Sequence, residues 1–512
     1  MTRRLAAVVA LVMALAGAPA CQAPVATPPG WITVALASSP TNLDPGIGLD
    51  ESSQRVHMLV FSALTKIGPD LRIVPDLATR LDTTDYQTYV VSIPSGVRFH
   101  DGREMTSADV AYTFRRFLDP RFVSGRKGAY VDLAAVDIVD RYSVAFRLKS
   151  PSAAFPASLA NMGIVPDGSG PGLARQPVGS GPYRVTAFVP DDHVRLEAFD
   201  GYYRGRPNNR GLVIKVVPDE TMRGLELRNG SVDLVVNDVS PDLVHTLQRV
   251  PALDVVTAPG TDFAYIGLNL RDPLLADRRV RLALAHAIDR RAITDDLRRG
   301  QARPANNLIP AVSWAFNPDI PAYAHDPARA RALLDEAGYP DPDGDGPEPR
   351  LHLTLKTSTS EVYRLQAAVL QAQLAKVGIA VDVRSYEFAT LFSDIVRGTV
   401  QMYTLVFTGG SVSDPDILRR VFHSSQTPPT GFNRAWYRNA DVDRLLDAAT
   451  AATDSAERRR RYGEVQRLVA TDLPMIGLWS RENVAVRRRG MAGVTLTPIG
   501  DFDFLRDVVP AR

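Results

Sequence analysis

The sequence predicts an α/β protein with more than one domain, and three observations carry that reading. Glu361–Val377 has helical spacing and stops at Gly378, after which Ile379, Val381 and Val383 alternate with polar residues as a strand. Helix, glycine, strand is the grammar of a βαβ unit. Asp277 caps a second helical pattern in which Val280, Leu284, Ala287 and Ile288 fall at i, i+4, i+7 and i+8, with Gly300 ending it. Between Pro177 and Tyr203 the pattern changes. Gly179-Ser180-Gly181-Pro182 forces a tight turn, and Tyr183, Val185 and Ala187, then Val194, Leu196 and Ala198, alternate as two strands of a small meander completed by Leu212–Val217. At 512 residues, two or three domains are the natural expectation.

Taken in order, the chain opens with Arg3 and Arg4, the uncharged run Leu5–Ala16, and the small residues Gly17-Ala18-Pro19-Ala20 before Cys21. This is the layout of an export signal, and its apolar run is too short to span a bilayer comfortably. Cys21 is the only cysteine, so no disulfide is expected. Its position is similar to a bacterial lipobox, whose cysteine is lipidated; Ala18 and Pro19 depart from the usual pattern, and a plain signal cut near Ala20 is the alternative. Residues 1–21 are therefore read as the signal and 22–30, rich in Pro and Ala, as a tether.

Trp31–Leu36 alternates as a strand, Asn42-Leu43-Asp44-Pro45 is a loop, and Gln54–Leu64 has the spacing of a short helix. Val90–Ile93 reads as a strand. Thr106 and Asp109 open a helix whose apolar face is Val110, Phe114 and Phe117. Pro166–Gly181 marks a crossing between domains. Thr221–Leu227 is helical and Val232–Val236 a buried strand. A composition change near Pro259-Gly260 suggests a second border. Asp441–Ala451 and Ser455–Ala470 are helices, and Met475–Leu478 is a last buried strand.

Charge is balanced, with 59 Lys and Arg against 57 Asp and Glu, so no field for nucleic acid exists and no nucleic-acid partner is expected. The Arg458–Arg461 run reads as a solvated helix face. The eight histidines show no helical metal spacing, and neither a phosphate-binding glycine loop nor a G-x-S-x-G elbow is present. Ser180 between glycines reads as a turn rather than a nucleophile, and His286 as structural. Asp341, Asp343 and Asp345 alternate like half of a calcium loop, but Pro342 and Pro347 stiffen the segment and His352 holds the twelfth position, favouring a connector. Neither a cofactor nor a metal is expected, and no motif supports catalysis.

Five blocks together resemble the family 5 solute-binding proteins of bacterial ABC importers, the dipeptide, oligopeptide and nickel binders. They are VRFHDGREMTSADVAYTFRRF (Val97–Phe117), PVGSGPYRV (Pro177–Val185), LNLRDPLLADRRVRLALAHAIDRRAI (Leu268–Ile293), ARALLDEAGY (Ala330–Tyr339) and LAKVGIAVDV (Leu374–Val383). The resemblance spans Trp31 to Trp479 and implies a two-lobe, type II periplasmic-binding-protein fold with an extra subdomain in the first lobe. The first lobe would comprise 31–66, 179–262 and 475–512, the inserted subdomain 67–178, and the second lobe 263–474.

In peptide-binding members the ligand's ammonium meets an aspartate in a "W-x-G-D … D-P-D" segment. The matching stretch here runs from Phe407 to Asp416, with Phe407 at the aromatic position and Gly410 or Ser411 where the aspartate stands; Asp414 matches the structural "D-P" aspartate. Phe407, Thr408, Gly409, Gly410 and Ser411 are thus implied ligand contacts, with Asn42 and Trp314 as further candidates at the rim; core packing is an equal reading of Trp314. A buried ammonium without a carboxylate is unfavourable by several kcal/mol, so a blocked peptide, an oligosaccharide, an opine or a nickel complex stays open beside a free peptide. The resemblance implies a monomeric, lipid-anchored, non-enzymatic receptor on the outer face of the cytoplasmic membrane or in the periplasm, which hands a peptide-like solute to ABC permease subunits. An exported hydrolase is the rival of another class. A sensor domain behind a DNA-binding module is a poor fit, since only Met1–Gly30 precedes the fold.

Overall fold

The computed structural model describes residues 28–344, 346–408, 414–429 and 431–511. The signal, Cys21 and most of the tether lie outside the described residues. Among the described residues one mixed sheet links eleven strands. One half of it runs Leu234–Val236, Trp31–Leu36, Gly211–Val216, His193–Ala198 and Tyr183–Val189. The other runs Ile379–Tyr386, Leu351–Ser358 and Met402–Phe407. Between the halves lie two long antiparallel strands, Leu253–Leu268 and Met475–Arg488, which belong to both.

Burial follows this division. Ile32, Val34, Leu36, Val194, Leu196, Leu212 and Ile214 pack with Ala485 and the returning segment Met491–Val508 in one core. Ala264, Ile266, Leu284, Leu353, Leu370 and Ile379 pack with Ile476 and Leu478 in another. The pairing of the two long strands breaks register between Pro259 and Phe263, where the cores exchange. A four-stranded antiparallel sheet of Arg80–Asp82, Thr88–Ser92, Ser143–Leu148 and Leu133–Asp140 forms a third core under the Ser107–Leu118 helix. The fold is the two-lobe α/β arrangement that the sequence implied.

Three elements differ from the sequence reading. The helix capped by Asp277 runs only from Arg278 to Ala287; Ile288 is extended, and a separate π-helical turn covers Ala292–Leu297. The cause is Asp289, whose carboxylate accepts the N–H groups of Arg291 and Ala292 at 3.0 and 3.1 Å and so starts a second helix. The strand read as Met475–Leu478 continues to Arg488, and the border read at Pro259-Gly260 lies inside a sixteen-residue strand, because a bulge accommodates the proline without ending the pairing. The helix read as Gln54–Leu64 begins at Glu51, where the Asp50 side chain accepts from Ser53 N–H, and ends at Val60.

The Gly179–Pro182 turn docks on that last helix. Gly181 N–H donates to Val60 O at 2.8 Å, and a Cβ on Gly179 would stand 2.0 Å from the same oxygen. Only glycine fits so close an approach. Ser180 is buried with its hydroxyl unpartnered, which suits a turn residue and not a nucleophile. His100 is fixed by the turn: Nδ1 accepts from Gly179 N–H at 3.3 Å, so Nε2 carries the proton that it donates to Gly181 O at 3.1 Å. Burial pushes its pKa down to about 4. The unfolded chain therefore takes up a proton near pH 6.5 that the folded one refuses until about pH 4, and stability is lost as pH falls through that window. His100→Gln removes this sensitivity. In urea titrations the gap between wild type and variant should narrow by about 3 kcal/mol between pH 7 and pH 4; an unchanged gap would reject the neutral, backbone-bound imidazole.

Candidate ligand-binding site

The Met402–Phe407 strand pairs antiparallel with Leu253–Leu268, placing Phe407 opposite Phe263 at the sheet's end. Phe407 is buried and stacks on Tyr265 with centroids 5.1 Å apart and planes 16° from parallel. Tyr265 in turn meets Tyr403 edge-on. Phe407 and Thr408 line a cavity of about 310 Å³. Its wall includes Phe388 and Phe392, one turn apart on the Phe388–Arg397 helix, which also buries Leu391 and Ile395. The two rings stack at 5.9 Å. Phe432 and Arg434 complete the wall.

Gly409, Gly410 and Ser411 lie outside the described residues. Just beyond them, Asp414 turns back to accept Asp416 N–H at 2.8 Å, and Asp416 accepts the Thr450 hydroxyl at 3.1 Å. Burial and its neighbour Asp414 push Asp416 up to about 6. These two acids are held within their own loop and helix.

Asn42 sits on the other half of the molecule. Its side-chain oxygen accepts Asp44 N–H at 2.8 Å, its carbonyl accepts from the buried His57 ring, and its N–H donates to Ser53 Oγ. These bonds shape the loop. Trp314 is half-buried and also lies apart from the cavity wall. Its N–H donates to Asp70 O at 3.0 Å, while its ring lies between the guanidinium groups of Arg72 and Arg458, at 5.4 and 5.6 Å. Nearby, the Tyr86 hydroxyl donates to Thr453 O. Trp314 thus joins the small-sheet region to the 263–474 segment. Among the described residues no three acids, histidines or cysteines could hold a metal ion. Asp341 pairs with Arg350 at 3.2 Å instead. No described helix is long and apolar enough to cross a membrane.

Sequence reasoning missed Phe388, Phe392 and Arg434. An exposed aromatic pair at i, i+4 was the available signal for the first two; a single arginine in Asn433-Arg434-Ala435 gave none.

The profile described as "Bacterial extracellular solute-binding proteins, family 5 Middle" matches residues 72–429. The chain belongs to this family. The oligopeptide-binding protein AppA of Bacillus subtilis is 29% identical over 492 residues, covering 92% of this chain and 90% of AppA. The glutathione-binding protein GsiB of Salmonella typhi is 30% identical over 487 residues, 92% of this chain and 93% of GsiB. Among solved structures, B. subtilis AppA in complex with a nonapeptide superposes with a TM-score of 0.75 at 28% identity, over 94% of this chain and 99% of AppA. CtaP of Listeria monocytogenes reaches 0.83 at 23% identity, covering 94% and 99%, and shares the fold. The named relatives are binding proteins.

The Trp314 wedge generates a prediction. Each of its two cation–π contacts is worth roughly 0.5–1 kcal/mol. Trp314→Ala should therefore loosen the two regions and raise the radius of gyration of unliganded protein in small-angle scattering. A profile superposable on wild type would show that the wedge holds nothing together.

Proposed function

We infer that this family 5 protein is an extracytoplasmic lipoprotein that captures a peptide or peptide-like solute between two lobes and delivers it to an ABC permease. The observation that carries this reading is the cavity at the end of the Met402–Phe407 strand. It has aromatic walls, a small polar complement and direct attachment to the strand pair shared by both cores. Full-length similarity to oligopeptide- and glutathione-binding relatives supports the solute class. The lobe borders at 31–66 with 179–262 and 475–512, at 67–178, and at 263–474 are supported by the exchange of cores near Pro259–Phe263. Solute would be held by Phe407 and Thr408, with Gly409, Gly410 and Ser411 beside them, and would favour a closed arrangement that the permease recognises.

Binding to the folded form alone stabilises it by RT ln(1+[L]/Kd), about 2.7 kcal/mol at a hundredfold excess over Kd. A panel of di- to octapeptides, free and N-acetylated, should therefore contain members that raise the melting temperature by a few degrees. A well-folded protein that responds to no peptide but to an oligosaccharide, an opine or a nickel complex would overturn the peptide reading.

The anchor is tested separately. Cys21→Ala should move the protein from the membrane to the soluble fraction and abolish labelling by radioactive palmitate. Unchanged fractionation would leave a plain signal peptide.

A further inference from the structure

Arg434 is 9% exposed, yet it forms no ion pair among the described residues, and its Nε has no hydrogen-bond partner. The undescribed positions nearest it in sequence, Thr430 and residues 409–413, carry no carboxylate. Its guanidinium lies 5.0 Å from the ring centroids of both Phe392 and Phe432. Phe432 is also covered by Arg420, at 4.3 Å. The backbone under Arg434 is rigid. Asn433 beside it donates to His423 O and Tyr437 O and accepts Tyr437 N–H, and Arg434 N–H donates to Phe432 O at 2.8 Å. Among the described residues lining the 310 Å³ cavity, Arg434 alone carries a charge; the other polar groups are hydroxyls, among them Ser358, Thr404 and Thr408.

A guanidinium without a carboxylate partner is unfavourable in such a place, and the aromatic faces and the Tyr265 hydroxyl beside it offset only part of that. What it lacks is a planar anion. Its N–H fork matches a carboxylate in two parallel hydrogen bonds, in surroundings where charge-assisted bonds are strong. The aromatic walls would cover the methylene carbons that bring the carboxylate in. A lysine-like group would meet like charge, and a neutral amide would leave part of the fork unmatched.

We propose that this cavity is a subsite for an acidic side chain of the bound solute, with Arg434 clamping its carboxylate and Phe388, Phe392 and Phe407 enclosing its aliphatic stem. The proposal rests on the reading of the protein as a binder of peptide-like solutes, and its test separates the two.

Calorimetry would compare tetra-alanine peptides carrying one Glu at each position in turn with their Gln and Lys counterparts. At one position Glu should bind at least tenfold tighter than Gln, with Lys weakest. Arg434→Gln should erase the Glu preference, and Arg434→Lys should retain part of it; melting curves without peptide establish that both variants fold. In parallel, saturation-transfer NMR with benzoate and benzamide probes the cavity without any peptide. Benzoate contact that exceeds benzamide and vanishes in Arg434→Gln supports the subsite even if no peptide binds, in which case only the peptide reading falls. Peptides that bind with Glu and Gln equal at every position, or a Glu preference unchanged in Arg434→Gln, would overturn the subsite. So would the absence of both peptide binding and a benzoate preference.

Discussion

The pairing of Leu253–Leu268 with Met475–Arg488 is the constraint on which the rest of the molecule depends. Its partners run from Leu253 opposite Arg488 to Gly267 opposite Met475, and each end of the ribbon is buried in a different core. A two-stranded ribbon alone is marginal in water. Here further strands flank it on both sides, and its ladder shifts register twice, between Pro259 and Phe263, where the cores exchange, and again between Ala264 and Tyr265. Such irregularities bend and twist a strand locally, so the ribbon changes direction where it passes from one core to the other.

The cavity inherits its geometry from this ribbon. The Tyr403 ring packs over Gly267, where a Cβ would stand only 2.0 Å from it. Tyr403 meets Tyr265, and Tyr265 stacks on Phe407. An aromatic succession therefore leads from the backbone of the spine to the cavity wall, with no loop between them. Across the cavity, Phe388 and Phe392 stand on a helix whose N-terminus is capped by Glu387 and whose end is closed by Gly398 in the left-handed conformation. A recognition surface carried by a strand and a capped helix is better fixed than one carried by loops.

What was legible in the sequence was whatever local chemistry decides. The Ser107–Leu118 helix follows from Thr106 and Asp109, whose carboxylate accepts Thr106 N–H at 2.8 Å. The Glu361–Ala375 helix and Ile379–Tyr386 strand follow from periodicity and Gly378. The family was legible because its five blocks are such local signals. The composition change at Pro259-Gly260 did not reveal that one strand runs through it, because it is the partner strand that carries the pairing past the proline. Ile288 misled because its apolar spacing continues the helix while Asp289 competes for the next turn. The cavity was mostly illegible: Phe388, Phe407 and Arg434 meet only through tertiary packing, and Asn42 and Trp314 make bonds that spacing cannot reveal.

The order of the chain along the sheet bears on how the protein is made. The core around Ile32 and Leu36 begins with the first described strand, yet it needs Ala485, Met491, Phe502, Leu505 and Val508 from the far end of the chain. Everything from Phe263 to Leu473 must be synthesised in between. Contacts this distant in sequence form late and slowly. While the ribosome still holds residue 480, the first lobe is an open set of strands without its closing segment, whereas most of the second lobe's helices and strands already exist. That core is therefore completed only when translation is nearly done, whereas the core built from Leu64 to Ile164 needs nothing from the far end of the chain and can form first.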